Sequence, residues 1–245
     1  MSDALGDRMK EQYEDRTRYM LPRRPYTIIR LDGVSFHRFT RNLVRPYDFQ
    51  FAKVIDAAAL ALLQFVQGAD LAYTQSDEIS LLVSDFTKPT TQAWFNGNLQ
   101  KIVSVSAGIA STTFNLFKDT IDNLGHENSA VFDARAFTIA DPVEVENYFI
   151  WRQKDCAKNS VQQVARFHYS HNDLKGVGIP ALHELIHDKG DNWAKYPDRF
   201  KRGGFLTAFA GHNDAAPIFT SESGRDELRS FIPTIWSEDK EEGNG

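Results

Sequence analysis

The order of the apolar segments is the feature that most constrains the fold of this 245-residue chain. Four short apolar runs indicate strands, and two longer stretches with apolar residues at i, i+3 and i+4 spacing indicate helices. Their approximate limits, in chain order, are residues 26–31, 47–66, 71–75, 79–84, 96–117 and 131–139. The predicted order is strand, helix, strand, strand, helix, strand, which is typical of the split βαβ, ferredoxin-like fold.

Further helices flank this core. The pattern predicts one over residues 7–20, one from Pro142, and others near 161–167 and 181–187, with a short strand near 205–209. We therefore predict an α+β fold: a βαββαβ antiparallel sheet with helices on one face, plus helical and C-terminal extensions. Residues 1–140 form the predicted catalytic core with its N-terminal helix. Residues 141–245 form an extension of the same domain, which ends in an acidic, flexible tail at about 237–245.

Composition excludes several classes of protein. A hydrophobic content of 42% with 25% charged residues is ordinary for a globular protein, and the net charge of −5 gives no general attraction to nucleic acid. The longest apolar stretch is too short to span a bilayer, and the N-terminus lacks the apolar region of a signal peptide. Cys156, the single cysteine, excludes an internal disulfide. We therefore expect a cytoplasmic protein without membrane contact.

Two acidic clusters lie where predicted strands end. Asp32-Gly33 closes the first strand, and Asp77-Glu78 lies at or near the tip of the predicted hairpin. In the ferredoxin-like arrangement these two ends can lie on adjacent strands. Carboxylates that meet in this way are a standard means of holding Mg²⁺ against a nucleoside triphosphate. Each pair alone is more typical of an ordinary turn, so the predicted magnesium site depends on the two clusters meeting.

The residues after Asp32 have the features of a phosphate-binding loop. Gly33 permits close approach of a phosphate and offers its carbonyl to a metal, and successive backbone N–H groups after it would form an anion-binding nest. Arg45 or Arg30 would supply a cation, and the hydroxyl of Ser76 would bind a phosphate or cap its own turn. The predicted loop consists of Gly33, Val34, Ser35, Phe36 and His37.

Two other patterns indicate competing sites. Residues 183–187 read His-Glu-Leu-Ile-His, the zinc-protease pattern, but Trp193 stands where a third histidine would follow, so an ordinary helix face is the alternative. A basic stretch interleaved with aromatic residues is a candidate for RNA contact, although its composition favours a solvated amphipathic helix or loop. That stretch contains Trp193, Lys195, Tyr196, Arg199, Phe200, Lys201 and Arg202.

Several ordered segments resemble the tRNA(His) guanylyltransferase family. They are residues 30–40 (Arg-Leu-Asp-Gly-Val-Ser-Phe-His-Arg-Phe-Thr), 45–48 (Arg-Pro-Tyr-Asp) and 72–80 (Ala-Tyr-Thr-Gln-Ser-Asp-Glu-Ile-Ser). Residues 132–135 (Phe-Asp-Ala-Arg) and 151–155 (Trp-Arg-Gln-Lys-Asp) resemble two later motifs, and the likeness is clear over roughly residues 5–170. Several motifs in the family's order are far more specific than any one of them. This likeness favours coincidence as the origin of the zinc-protease pattern.

The resemblance implies a polymerase-type palm that adds nucleotides in the 3′-to-5′ direction with two Mg²⁺ ions. It implies metal ligation by Asp32, the Gly33 carbonyl and Asp77, with Glu78 as a third catalytic carboxylate. The implied nucleotide-binding residues are Asp32, Gly33, Val34, Ser35, Phe36, His37, Arg45, Ser76 and Asp77. Arg45 stands where the family usually has lysine, which leaves its role open. Thr74 replaces a common glycine, with little expected effect.

One departure from the family pattern concerns the substrate. Enzymes dedicated to tRNA(His) usually continue past the Trp-Arg-Gln region into a histidine-containing element, whereas residues 157–160 here read Ala-Lys-Asn-Ser. This resembles the like-protein branch, which repairs 5′-truncated tRNAs by templated addition. The resemblance implies ATP, GTP or other NTPs and the 5′ end of the tRNA acceptor stem as partners, and a homotetramer. A nucleotide cyclase or cyclic-dinucleotide synthase, or a non-catalytic RNA-binding module, remains the alternative.

Overall fold

The computed structural model describes residues 3–124, 129–207, 211–213 and 215–235, so the predicted acidic tail lies outside the described residues. Within that part of the chain, a six-stranded antiparallel sheet has the order β4-β1-β3-β2-β5-β6. The strands are β1 (Tyr26–Gly33), β2 (Ala69–Gln75), β3 (Glu78–Val83), β4 (Phe132–Ile139), β5 (Gly204–Thr207) and β6 (Gly211–Asn213). The first four strands confirm the predicted order and topology of the core.

Seven α-helices accompany these strands in the described residues. They are α1 (Ala4–Met9), α2 (Phe49–Phe65), α3 (Leu99–Phe117), α4 (Pro142–His168), α5 (Ile179–Asp188), α6 (Asp198–Arg202) and α7 (Glu222–Ser230). The predicted N-terminal helix over 7–20 begins and ends three residues earlier and is irregular, because α1 continues as a π-helix over Lys10–Glu14 and a 3₁₀ turn over Asp15–Thr17.

Short polar side chains fix where the long helices begin. The carboxylate of Asp48 accepts a hydrogen bond from the Phe51 N–H at the start of α2, and Asn98 caps α3 in the same way. Each bond satisfies a backbone donor that has no partner inside the helix. Both helices pack on one face of the sheet, around a core that includes Ile29, Leu31, Ile55, Leu62 and Phe114. This is the predicted placement of the two core helices.

The opposite face of the sheet is also covered, by α4 and α7. Buried side chains from the sheet meet buried side chains from the C-terminal half of the chain, among them Tyr26, Ile28, Tyr73, Phe149 and Leu228. The predicted helices from Pro142 and near 161–167 are one helix of 27 residues, α4. Sheet strands buried on both faces read as nearly continuous apolar runs, as β3 does. No helix in the described ranges is long and apolar enough to cross a membrane.

Candidate active site

The end of β1 brings the two acidic clusters together. Because β1 lies between β3 and β4, Asp32 is in register with Glu78 on one side and with Asp133 on the other. The β2–β3 hairpin closes through a two-residue loop, Ser76-Asp77, in which Ser76 has a positive φ of 49°. Left-handed backbone at a non-glycine residue is strained and often marks a functional turn. The hairpin tip therefore holds Asp77 beside Asp32.

Burial and neighbouring negative charges raise the pKa values of Asp32 and Asp77. The pKa of Asp77 is raised to about 6, first by its burial and then by the charge of Asp32. Burial is also the main cause of the raised pKa of Asp32, followed by the charges of Glu78 and Asp133. Partly desolvated carboxyl groups that lie among other acids create a local excess of negative potential. This end of the sheet therefore favours a bound cation.

A cavity of about 810 Å³ opens in front of these carboxylates. This volume lies within the range found for small-molecule binding sites. Of the residues predicted to bind metal or nucleotide, the cavity is lined by Asp32, Gly33, Ser35, Phe36, His37, Arg45, Ser76, Asp77 and Glu78. Val34 is not among the lining residues; its side chain is exposed and its N–H donates to the Val131 carbonyl (2.8 Å).

The loop after β1 turns tightly around Ser35. Ser35 has a φ of 56°, and its carbonyl accepts a hydrogen bond from the Arg38 N–H (3.0 Å). The N–H groups of Ser35, Phe36 and His37 take no part in this bond or in the bond from the Val34 N–H to the Val131 carbonyl. The Phe36 ring is buried in the core beside α3, 5.2 Å from the ring of Phe114. The ring therefore anchors the loop, and the N–H groups of Ser35, Phe36 and His37 remain for a ligand.

Gly33 is required sterically at the start of this loop. A Cβ added there would overlap the ring of Phe36, whereas nothing lies within 4 Å of a Cβ added at Gly108 in α3. We expect Gly33→Ala to lower the free energy of unfolding by about 1–3 kcal/mol, because the packed ring has to move. Gly108→Ala is the matched control and should raise it by about 0.5–1 kcal/mol. Urea unfolding of both variants measures this, and a Gly33→Ala protein as stable as the wild type would contradict it.

Glu78 is held by an ion pair with α4. Its two carboxylate oxygens accept hydrogen bonds from Arg152, at 2.7 Å from Nε and 2.6 Å from Nη2, and both side chains are mainly buried. Gln75 and Ser80 donate weaker bonds of 3.3 Å to the same carboxylate. The Glu78 carboxylate thus links β3 to α4 at the residue that is in register with Asp32.

Comparison with known proteins identifies the family of this chain. The family model described as Thg1, tRNAHis guanylyltransferase, matches residues 6–140, which is more than half of the chain. The chain belongs to the tRNA(His) guanylyltransferase family. The matched region contains β1 to β4 with the acidic ends of β1 and the β2–β3 hairpin. Proteins named for this family are nucleotidyltransferases.

Curated family members are similar over most of the chain. The probable tRNA(His) guanylyltransferase of Drosophila melanogaster is 27% identical over 74% of this chain, and the match spans 66% of its own length, just under two thirds. The tRNA(His) guanylyltransferase of Schizosaccharomyces pombe is also 27% identical, over 79% of this chain and 76% of its own.

Solved structures extend the likeness to the whole described fold. A bacterial tRNA(His) guanylyltransferase (Thg1)-like protein in complex with ATP has a TM-score of 0.86 and 37% identity, covering 94% of this chain and all of that one. A structure of such a protein in complex with GTP has a TM-score of 0.80 and 35% identity, over 95% of this chain and all of that one. The predicted α+β palm of this family is thereby confirmed.

The long helix α4 supplies a wall of the cavity that the family motifs did not predict. Five of its lining residues follow one another at a spacing of three or four residues, which places them on one face of the helix. They are Arg152, Asp155, Asn159, Gln163 and Arg166. The 151–155 motif is recognisable in the sequence but was assigned no role there. Counting in steps of three or four residues from Arg152 would have identified the other lining residues of α4.

A buried ion pair supports the other side of the hairpin. Arg199 on α6 donates to Asp56 on α2 (2.7 Å), and both side chains are less than a tenth exposed. The hydroxyl of Thr74 donates to Asp56 (2.6 Å) and accepts from Arg199 (2.8 Å). Thr74 lies three residues before Asp77, so this network fixes the strand that carries the hairpin tip. The expectation that threonine at this position matters little conflicts with these contacts.

We expect Thr74→Val to lower the free energy of unfolding by about 1–3 kcal/mol, because Asp56 and Arg199 each lose a buried partner while the shape is kept. Thr138→Val, in a partly buried position on β4, should change it by less than about 0.5 kcal/mol. Guanidinium unfolding compares the two variants. Equal stability of Thr74→Val and wild type would show that the hydroxyl contributes nothing to stability.

The two competing sequence patterns have structural roles in the described residues. Of the predicted RNA-contacting cations, Arg199 is buried with Asp56, while Lys201 and Arg202 both pair with Asp198. The histidine pattern lies on α5, where the rings of His183 and Trp193 pack edge to face with their centres 5.6 Å apart. No group of three or more His, Cys, Asp or Glu side chains suited to a metal lies together in the described residues.

The donor set of the candidate site fits Mg²⁺. This ion prefers oxygen ligands and is usually bound by only one or two carboxylates, with substrate phosphates and water completing its shell. Asp32 and Asp77 offer the two carboxylates, and the Gly33 carbonyl is a further oxygen at the same strand end. The pKa of Asp77 is raised to about 6. Such a shift is expected for a metal-binding carboxyl group when no cation is bound to offset its negative charge.

Proposed function

We propose that this protein is a nucleotidyltransferase that adds nucleotides in the 3′-to-5′ direction to the 5′ end of tRNA, and that it repairs 5′-truncated tRNAs against a template. The observation that carries the proposal is the meeting of Asp32 and Asp77 at one end of a cavity bounded by a phosphate-binding type of loop. Its membership of the tRNA(His) guanylyltransferase family supports the reaction. Similar solved structures contain ATP or GTP, which supports the nucleotide substrates.

The proposed reaction has two transfers. In the first, an oxygen of the RNA 5′-monophosphate attacks the α-phosphorus of ATP, and pyrophosphate leaves. In the second, the 3′-hydroxyl oxygen of an incoming NTP attacks the RNA 5′-phosphorus of this adenylylated end, and AMP leaves. Complementarity to the opposite strand of the acceptor stem chooses the NTP, commonly GTP.

The residues of the loop and hairpin bind and orient the triphosphate in this proposal. Backbone N–H groups of Ser35, Phe36 and His37 donate to phosphate oxygens, with the Ser76 hydroxyl as a further donor. Arg45 lines the cavity and already donates to the carbonyls of Thr40 (3.1 Å) and Arg41 (3.4 Å). We therefore assign its guanidinium to the edge of the proposed phosphate site, as an auxiliary cation.

Asp32, Asp77 and the Gly33 carbonyl would hold two Mg²⁺ ions. When bound, such ions lower the pKa of an attacking hydroxyl and neutralise the triphosphate. Glu78 acts indirectly in this proposal: its ion pair with Arg152 holds α4 against β3. Assembly as a homotetramer and a cytoplasmic location stay predictions from the resemblance and composition.

Product analysis tests the proposal. The purified protein is incubated with Mg²⁺, ATP and each NTP, with and without 5′-truncated tRNAs of several identities. We expect RNA longer by the missing nucleotides, formed only when RNA is present and with non-histidine tRNAs as well. Cyclic nucleotides formed from NTP alone would identify a cyclase instead. RNA binding without NTP consumption would identify a non-catalytic module.

A further inference from the structure

The α4 wall of the cavity is longer than the acidic end requires. Its near end is fixed at Arg152 by the ion pair with Glu78, and its far end reaches Arg166 and Phe167, which also line the cavity. At about 1.5 Å per helical residue, the stretch from Arg152 to Arg166 covers about 21 Å. The lining therefore continues well beyond the carboxylates, along a single helix face.

The far end of this wall is an open rim. Arg166 is exposed, and the Phe167 ring is 54% exposed although it lines the cavity. A small-molecule site normally encloses most of the surface of its ligand. Exposed lining residues instead suit a ligand that continues out of the cavity into solvent.

The rim also carries charge that the protein does not neutralise. The cavity arginines Arg152 and Arg199 are paired with Glu78 and Asp56. Among the residues that the structure describes, no carboxylate pairs with Arg166. A cation beside an exposed aromatic ring is the combination that binds the phosphate and base of a nucleic-acid strand.

We propose that Arg166 and Phe167 bind the RNA strand where it leaves the cavity, with Arg166 on a phosphate and Phe167 stacked on a base. This inference rests on the proposed function, since an RNA 5′ end that reaches Asp32 and Asp77 has to continue past the cavity rim. A mononucleotide held by its triphosphate at the acidic end does not need this contact. The site therefore contributes to RNA affinity and not to NTP affinity.

Equilibrium binding of 3′-labelled tRNA lacking its 5′-terminal nucleotide, without NTP and over a series of salt concentrations, tests the site. Arg166→Ala should weaken binding and reduce the slope of log K against log salt by about 0.7–0.9, the value for one phosphate contact. Phe167→Ala should weaken binding about fivefold or more with an unchanged slope, and Phe167→Trp should restore it. Lys53→Ala, an exposed cation on α2 outside the cavity lining, is the control and should leave both quantities unchanged.

The outcomes separate the two proposals. Wild-type affinity and slope in both Arg166→Ala and Phe167→Ala would overturn the rim site, as would a raised KM for NTP with unchanged RNA binding, which would assign these residues to the nucleotide. If the wild-type protein adds no nucleotide to any RNA, the proposed function is wrong. The binding series, which uses no catalytic step, still decides whether the rim holds RNA.

Discussion

Replacing Asp77 with asparagine is expected to lower the rate of nucleotidyl transfer by roughly 100- to 1000-fold, equivalent to about 3–4 kcal/mol of transition-state stabilisation. The substitution keeps the shape of the side chain at the hairpin tip but removes its charge. The stability of the folded protein should not fall, because burial and the neighbouring Asp32 both disfavour a negative charge at this position. We therefore expect a melting temperature equal to or above that of the wild type.

Asp70 provides a matched control for this experiment. It is also a largely buried carboxyl group on β2, with a pKa raised to about 7 by burial, but it does not line the cavity. Asp70→Asn should likewise keep or raise the melting temperature, while transfer proceeds at the wild-type rate. Single-turnover rates and thermal unfolding of the two variants give the comparison. Wild-type transfer by Asp77→Asn would remove the basis of the metal site.

Breaking the ion pair between Arg152 and Glu78 is expected to have the largest effect on stability. Arg152→Met leaves the carboxylate of Glu78 mainly buried and without its main partner. Loss of one partner of a buried pair typically costs about 3–5 kcal/mol. Arg18→Met, which removes exposed pairs with Glu14 and Asp15, should cost less than about 1 kcal/mol. Urea unfolding of the two variants measures the difference.

The double variant Arg152→Met/Glu78→Gln separates positioning from catalysis. It removes both charges, so no buried charge is left unpaired, and most of the lost stability should return. If Glu78 acts by holding α4 against the sheet, transfer should recover together with stability. If the stable double variant remains inactive and Glu78→Gln alone is inactive yet as stable as wild type, Glu78 takes a direct part in the reaction.

The central strand order could be predicted because it depends on local periodicity. The apolar runs that end at Asp32 and that flank Asp77 determined the strands, and the ferredoxin-like connection then made the two carboxylates neighbours. The capping role of Asp48 is likewise local, since a carboxylate three residues before the bonded N–H of Phe51 is a helix-start signal.

The contacts that hold the site could not be predicted in the same way. Glu78 and Arg152 are 74 positions apart, and Asp56 and Arg199 are 143 positions apart. No spacing rule joins such pairs; they depend on which helix covers which face of the sheet. The basic stretch around Arg199 illustrates this, because a cation that looks available to RNA in the sequence is buried against a carboxylate in the fold.

The most direct test of the account is a template-swap assay on 5′-truncated tRNA. The nucleotide opposite the vacant 5′ position is changed in turn to each of the four bases, and the wild type and Asp77→Asn are compared with all NTPs and ATP present. We predict that the wild type adds the complementary nucleotide at the 5′ end in each case and that Asp77→Asn adds almost none. Addition of the same nucleotide opposite every template base would contradict the account, as would equal activity of the two proteins.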